Sequence, residues 1–141
     1  MPRMTDEEWR AFVRTGTRTG KLGVTRADGR PHVTPVWFVL DGDEVVWTTH
    51  GSGLKAKVLR RDPRASMLVD DQTPPYSFVK IDGTVTMSGD LAEVRKWATV
   101  LGGRYMGAER ADEYGARNGV PGELLVRLRA ENVVAIRDIA D

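Results

Sequence analysis

The chain contains no cysteine. That excludes disulfides, thiolate nucleophiles and cysteine-ligated zinc or iron–sulfur centres, and a reducing cytoplasm is the simplest compartment for it. Histidine is scarce. His32 and His50 are not spaced as a helical metal pair, and no acidic cluster supplies an obvious third ligand. No stretch approaches the roughly 18 consecutive apolar residues of a membrane span. Residues 1–10 are polar and acidic, unlike a secretory signal. The expectation is a cytoplasmic protein without a membrane partner. No nucleophile-elbow motif is present, so a Ser–His–Asp hydrolase has no support. A net charge of +1 is too small for a polyanion binder. The four tryptophans fall on different elements and are not interleaved with a basic surface, so nucleic acid is not an expected partner.

What remains is an ordinary globular composition. The 141 residues are 40% hydrophobic and 29% charged, which suits one domain spanning 1–141 with one core. Thr5 and Glu8 read as a capping box opening a short helix that ends near Gly16, with Trp9, Phe12 and Val13 on one face. Strands follow at Leu22–Thr25, His32–Leu40 and Glu44–Thr49, joined by the turns Asp28-Gly29 and Asp41-Gly42-Asp43. A short helix is expected over Leu54–Arg61, stopped by Pro63. Ala65–Asp70 and Tyr76–Ser88 are the next strands, with Gly83 marking a bend or bulge. Asp90 can cap a helix from Leu91 to about Leu101, and a second helical piece runs from about Ala108 to Arg117. Strands at Leu124–Arg129 and Val133–Arg137 close the chain. Many short strands with few helices predict a mainly β fold, a small barrel of six to seven antiparallel strands.

Two local features point toward function. The run Val36–Leu40 is apolar without alternation, so both of its faces are expected to be covered. The barrel core takes one face; a partner subunit, a flat ligand or a helix of the same chain takes the other. Charge is most biased between His50 and Ser66, where Lys55, Lys57, Arg60, Arg61 and Arg64 face one acid, Asp62. Lysines at the start of a helix oppose its dipole, unless an anion sits there. With Gly51-Ser52-Gly53 leading in, backbone N–H groups, the Thr49 and Ser52 hydroxyls and lysine ammonium groups would converge on a phosphate. A solvated basic helix face has the same spacing, and the loop is not a Walker motif. Cofactor chemistry fits this inventory because the cofactor brings the reactive atom and the protein brings position and electrostatics.

The segments 22–38 (LGVTRADGRPHVTPVWF), Thr48-Thr49 and 55–66 (KAKVLRRDPRAS) together resemble the pyridoxamine 5′-phosphate oxidase-like split β-barrel superfamily. They are most similar to the branch that uses the deazaflavin coenzyme F420. Residues 104–107 (RYMG) and 121–128 (PGELLVRL) extend the resemblance, which spans about residues 5–138. It implies a split β-barrel homodimer with two cofactor sites at the subunit interface. It implies further that Lys55 binds the phosphate, that Thr48 and Thr49 contact the same region, and that Pro35, Val36 and Trp37 line the ring. Lys57 and Arg60 match basic positions near the deazaflavin's acidic tail. Asp71 and Gln72 match a loop approaching from the partner subunit. One departure bears on the cofactor. The flavin mononucleotide branch often has Ser-Arg-Lys where this chain has Gly53-Leu54-Lys55, so a phosphate monoester would lose its arginine fork. The resemblance therefore favours F420 over FMN, and a reductase passing hydride from the reduced deazaflavin to an unsaturated organic substrate, with no catalytic side chain named. An FMN-dependent oxidase or reductase, and a non-enzymatic carrier of flavin, deazaflavin, haem or tetrapyrrole, are the alternatives.

Overall fold

The structure, a computed structural model, describes residues 2–141. Its frame is one antiparallel sheet of seven strands: β1 (Gly20–Thr25), β2 (Pro31–Val36), β3 (Val39–Asp41), β4 (Glu44–His50), β5 (Arg64–Asp71), β6 (Ser77–Ser88) and β7 (Glu123–Ile136). The spatial order is β2-β1-β5-β6-β7-β4-β3. The two end strands are consecutive in the chain, joined only by Trp37 and Phe38. Three residue steps span at most about 11 Å. The sheet must therefore curl until its ends nearly meet, and β2 and β3 flank the split of the barrel.

Alternation places one face of each strand inside. Leu22, Val24, Phe38, Val45, Trp47, Met67, Val69, Val79, Ile81, Val126 and Leu128 form the barrel core. Helix α1 (Asp6–Arg14) seats Trp9 and Val13 on this core, and the Thr5–Glu8 capping box opens it as expected. Helix α2 (Leu54–Arg61) lies where the sequence placed it, with Ala56, Val58 and Leu59 buried. A second, smaller core forms outside the sheet, where Val39, Val46 and Leu125 meet Val94 and Leu101 of helix α3 (Leu91–Met106). Asp90 caps α3 through the N–H groups of Ala92 and Glu93. No helix among the described residues is long and apolar enough to cross a membrane.

Several boundaries depart from the sequence reading, each for a physical reason. His32–Leu40 is two strands, not one. Trp37 and Phe38 leave the ladder, and the Phe38 N–H is taken by the Tyr105 hydroxyl at 3.2 Å, its carbonyl by Arg104 Nη1 at 2.7 Å. Leu124–Arg129 and Val133–Arg137 are one strand, β7. Register shifts between Asp82 and Gly83, where Asn132 pairs with Asp82 but Ala130 with Gly83, so Glu131 is the extra residue of a bulge. The bulge sits opposite Gly83 because a Cβ there would run into the Arg129 carbonyl. Helix α3 runs five residues past Leu101, and the following piece begins as a 3₁₀ turn (Ala108–Arg110) before α4 (Ala111–Asn118). The chain's own helices cover part of the outer side of the Val36–Leu40 run, where Trp37 stays half-buried. Trp37 stacks on Tyr105 with centroids 5.2 Å apart and planes 3° from parallel, and Tyr114 of α4 meets its edge at 5.6 Å.

Candidate functional site

A cavity of about 470 Å³ opens where the split, the glycine loop and the α3–α4 pair converge. Val36 and Trp37 enter it from the end of β2, Thr48, Thr49 and His50 from the end of β4, and Lys55 from the first turn of α2. Ala98 and Leu101 of α3 supply an apolar side. Arg117 and Asn118 at the end of α4, and Glu123 at the start of β7, complete the lining. Its one carboxylate, Glu123, is turned to His50, with Nδ1 and Oε1 3.3 Å apart, so Lys55 and Arg117 leave the cavity positive.

The loop geometry explains the glycines. The Gly51 N–H donates to the Gly122 carbonyl at 2.8 Å, and a Cβ on Gly51 would sit 2.5 Å from that oxygen. Arg60 Nη1 then holds the Gly51 carbonyl at 2.8 Å. Helix α2 starts at Gly53 with no side-chain cap and no acid in its first turn, unlike α1 and α3. Its first N–H groups, with the positive end of the helix dipole, are thus left for an anion. Thr49, only 7% exposed, also lines the cavity.

The residues singled out from the sequence do not all come together. Val36, Trp37, Thr48, Thr49 and Lys55 share this cavity. Pro35, exposed on β2, and Ser52, exposed in the loop, lie beside it without lining it. Lys57 and Arg60 face the other side of α2, in a cavity of about 650 Å³ with Arg26, Asp28, Leu54 and Arg61. Arg61 Nη2 donates to the Thr25 carbonyl, tying α2 to the β1–β2 turn. Asp71 and Gln72 line a third cavity, beside Tyr76, Phe78 and Ile139. Asp70 and Asp71 are ion-paired to Lys21 at 3.0 Å and to Arg18 at 3.3 Å, and no metal-holding cluster occurs among the described residues. Sequence reasoning passed over Arg117, Asn118 and Glu123. They come from the far end of the chain, and only the tag Pro121-Gly122-Glu123 gave any sign of them.

The chain matches the pyridoxamine 5′-phosphate oxidase family over residues 5–137, nearly its whole length. It belongs to that family. Solved structures agree on the fold. A conserved hypothetical protein from Mycobacterium tuberculosis is 26% identical, with 98% of this chain and 89% of that one covered and a TM-score of 0.84. An F420 reductase is 22% identical, with 94% and 98% covered and a TM-score of 0.70. A haem storage protein from Vibrio cholerae is 20% identical, with 92% and 94% covered and a TM-score of 0.69. The same fold is thus shared by a reductase and a haem storage protein, so the fold by itself does not select the chemistry.

Proposed function

We propose that this family member is a deazaflavin-dependent reductase, binding coenzyme F420 and reducing an unsaturated organic small molecule. The observation that carries the reading is that Lys55, in the first turn of the uncapped helix α2, lines one cavity with Thr48, Thr49 and Trp37. These groups fit a planar ring bearing a phosphate: N–H donors and an ammonium group for the anion, an aromatic wall for the ring. When bound, the cofactor supplies the hydride. The chain holds the phosphate at Lys55 and the α2 N-terminus, and shields the site with Ala98 and Leu101. The cavity on the other face of α2 carries Arg26, Lys57, Arg60 and Arg61 against one carboxylate, Asp28, a cationic excess suited to an acidic tail. That separation supports F420, which carries an acidic tail beyond its phosphate, over FMN, which ends at the phosphate. In a homodimer, Asp71 and Gln72 would serve the second copy's site, since they lie outside the cavity of their own chain.

Fluorescence titration with F420 and with FMN tests the reading, repeated on Lys55→Ala. A charge-assisted hydrogen bond contributes about 1.5–3 kcal/mol, so the substitution should weaken F420 binding by roughly 10- to 100-fold. Unchanged affinity removes the phosphate assignment, and tighter binding of FMN than of F420 moves the protein to the flavin branch. A haem carrier is the second reading. His50 lines the cavity with Nδ1 turned to Glu123, so its Nε2 would be the atom to hold a haem iron. A Soret band lost in His50→Ala would favour it.

A further inference from the structure

The Trp37–Phe38 break is held by two neighbouring side chains of the last turn of α3. Tyr105 Oη accepts the Phe38 N–H at 3.2 Å and lies 2.9 Å from the Arg18 carbonyl and 3.1 Å from the Phe38 carbonyl, to one of which it donates. Arg104 spreads its guanidinium over three carbonyls: Phe38 at 2.7 Å, Val13 at 2.7 Å and Gly16 at 3.1 Å. It also lies over the Phe38 ring at 4.7 Å. Both side chains are half-buried, and neither lines the cavity. The one residue of this assembly that does is Trp37, whose ring lies flat on Tyr105.

Sheet pairing stops at Val36 and resumes at Val39, so no ladder partner fixes the two residues between. Their orientation is set from outside the sheet. We propose that Arg104 and Tyr105 are positioning residues for the candidate site: they hold Trp37 as a rigid aromatic wall of the cofactor cavity. The peptide bonds pin the backbone of the break, and the parallel ring contact fixes the indole plane. Fewer accessible orientations of Trp37 lower the ordering cost when a planar ligand stacks there. The consequence for binding rests on the cofactor reading above; the placement of Trp37 does not.

The test therefore has two arms, on Tyr105→Phe and Arg104→Lys. Phenylalanine keeps a ring against Trp37 but leaves the Phe38 N–H without its acceptor. Lysine keeps the charge but cannot reach three carbonyls. In cofactor-free protein, acrylamide quenching of the Trp37 signal, taken as the difference from Trp37→Phe in each background, should rise about twofold in both variants as the indole loosens. Titration with F420 and FMN should then show about 3- to 10-fold weaker binding of whichever probe wild type prefers, with wild-type affinity for inorganic phosphate retained. An unchanged Trp37 signal in both variants overturns the proposal. So does a loosened Trp37 with cofactor affinity intact, which would make the pair structural only. If wild type binds neither probe, the cofactor reading fails, while the quenching arm still decides whether the pair holds Trp37.

Discussion

At the scale of single residues, the candidate site is built from close approaches that admit little substitution. Gly51 is the clearest case, because its N–H reaches the Gly122 carbonyl and a methyl group would stand 2.5 Å from that oxygen. Gly51→Ala is expected to lower stability by about 1–3 kcal/mol, as overpacking does. It should weaken cofactor binding more than a surface change of equal cost, because the loop aims Thr49 and Lys55. Thermal melting and titration of the same variant check both. Lysine at position 55 was legible from sequence because it conflicts with the helix dipole unless an anion is present. Arg104 and Tyr105 were legible only as part of a family-like run. Their work is done on carbonyls 66 to 91 residues away along the chain, which no local pattern encodes.

At the scale of elements, local chemistry and packing contribute differently. The α1 capping box is purely local. Thr5→Ala should cost about 1 kcal/mol, read as a lower melting temperature with the cofactor site intact. The α3–α4 pair depends on tertiary fit. A Cβ on Gly115 would run into the Thr99 side chain, and one on Gly102 into Tyr114. Gly115→Ala is therefore expected to push α4 away from α3 and to displace Arg117 and Asn118 from the cavity lining. Its check is a fall in F420 affinity larger than that of Thr5→Ala at matched stability. Six to seven strands were expected and seven are found, with the strand segments read from the sequence drawn differently in two places. Side chains of α3 divide the second strand, and a bulge lets the last two be one. Apolar patterning marks where a strand is favourable; it cannot register a hydrogen bond from a distant arginine or a one-residue slip against a glycine.

At the scale of the whole molecule, charge and assembly carry the predictions. The fold depresses several carboxyl groups. Arg64 hydrogen bonds hold Asp62 down from the usual 3.8 to about 2, and a Ser66 hydrogen bond lowers Asp82. The Thr5 backbone lowers Glu8, the Thr73 backbone lowers Asp71, and Arg110 lowers Glu113. A group whose folded pKa lies below its unfolded value binds protons first in the unfolded chain. Stability should hold above about pH 4 and decline as pH falls through the window set by Asp62, from 3.8 toward about 2. Urea melts between pH 6 and 2.5 check this; a midpoint that rises on acidification contradicts it. Assembly has a separate check. Strand β2 is an edge with no buried residue, and its Val33 is 62% exposed. If the protein is a homodimer, sedimentation at micromolar concentration should give about twice the chain mass of 15.6 kDa.

The amino-acid sequence alone determined the element types, the barrel class, the basic helix behind its glycine loop and the absence of thiol chemistry. Each of these follows from composition, period or a short spacing. The three-dimensional packing alone decided that Lys55 and Lys57 open onto different cavities and that α3 and α4 pack against Trp37. It also decided that Arg117 and Glu123 join residues of β4 and α2 in one lining. Those outcomes depend on how a curling sheet brings remote segments together, and on which face of a two-turn helix meets each of them. Local sequence carries neither.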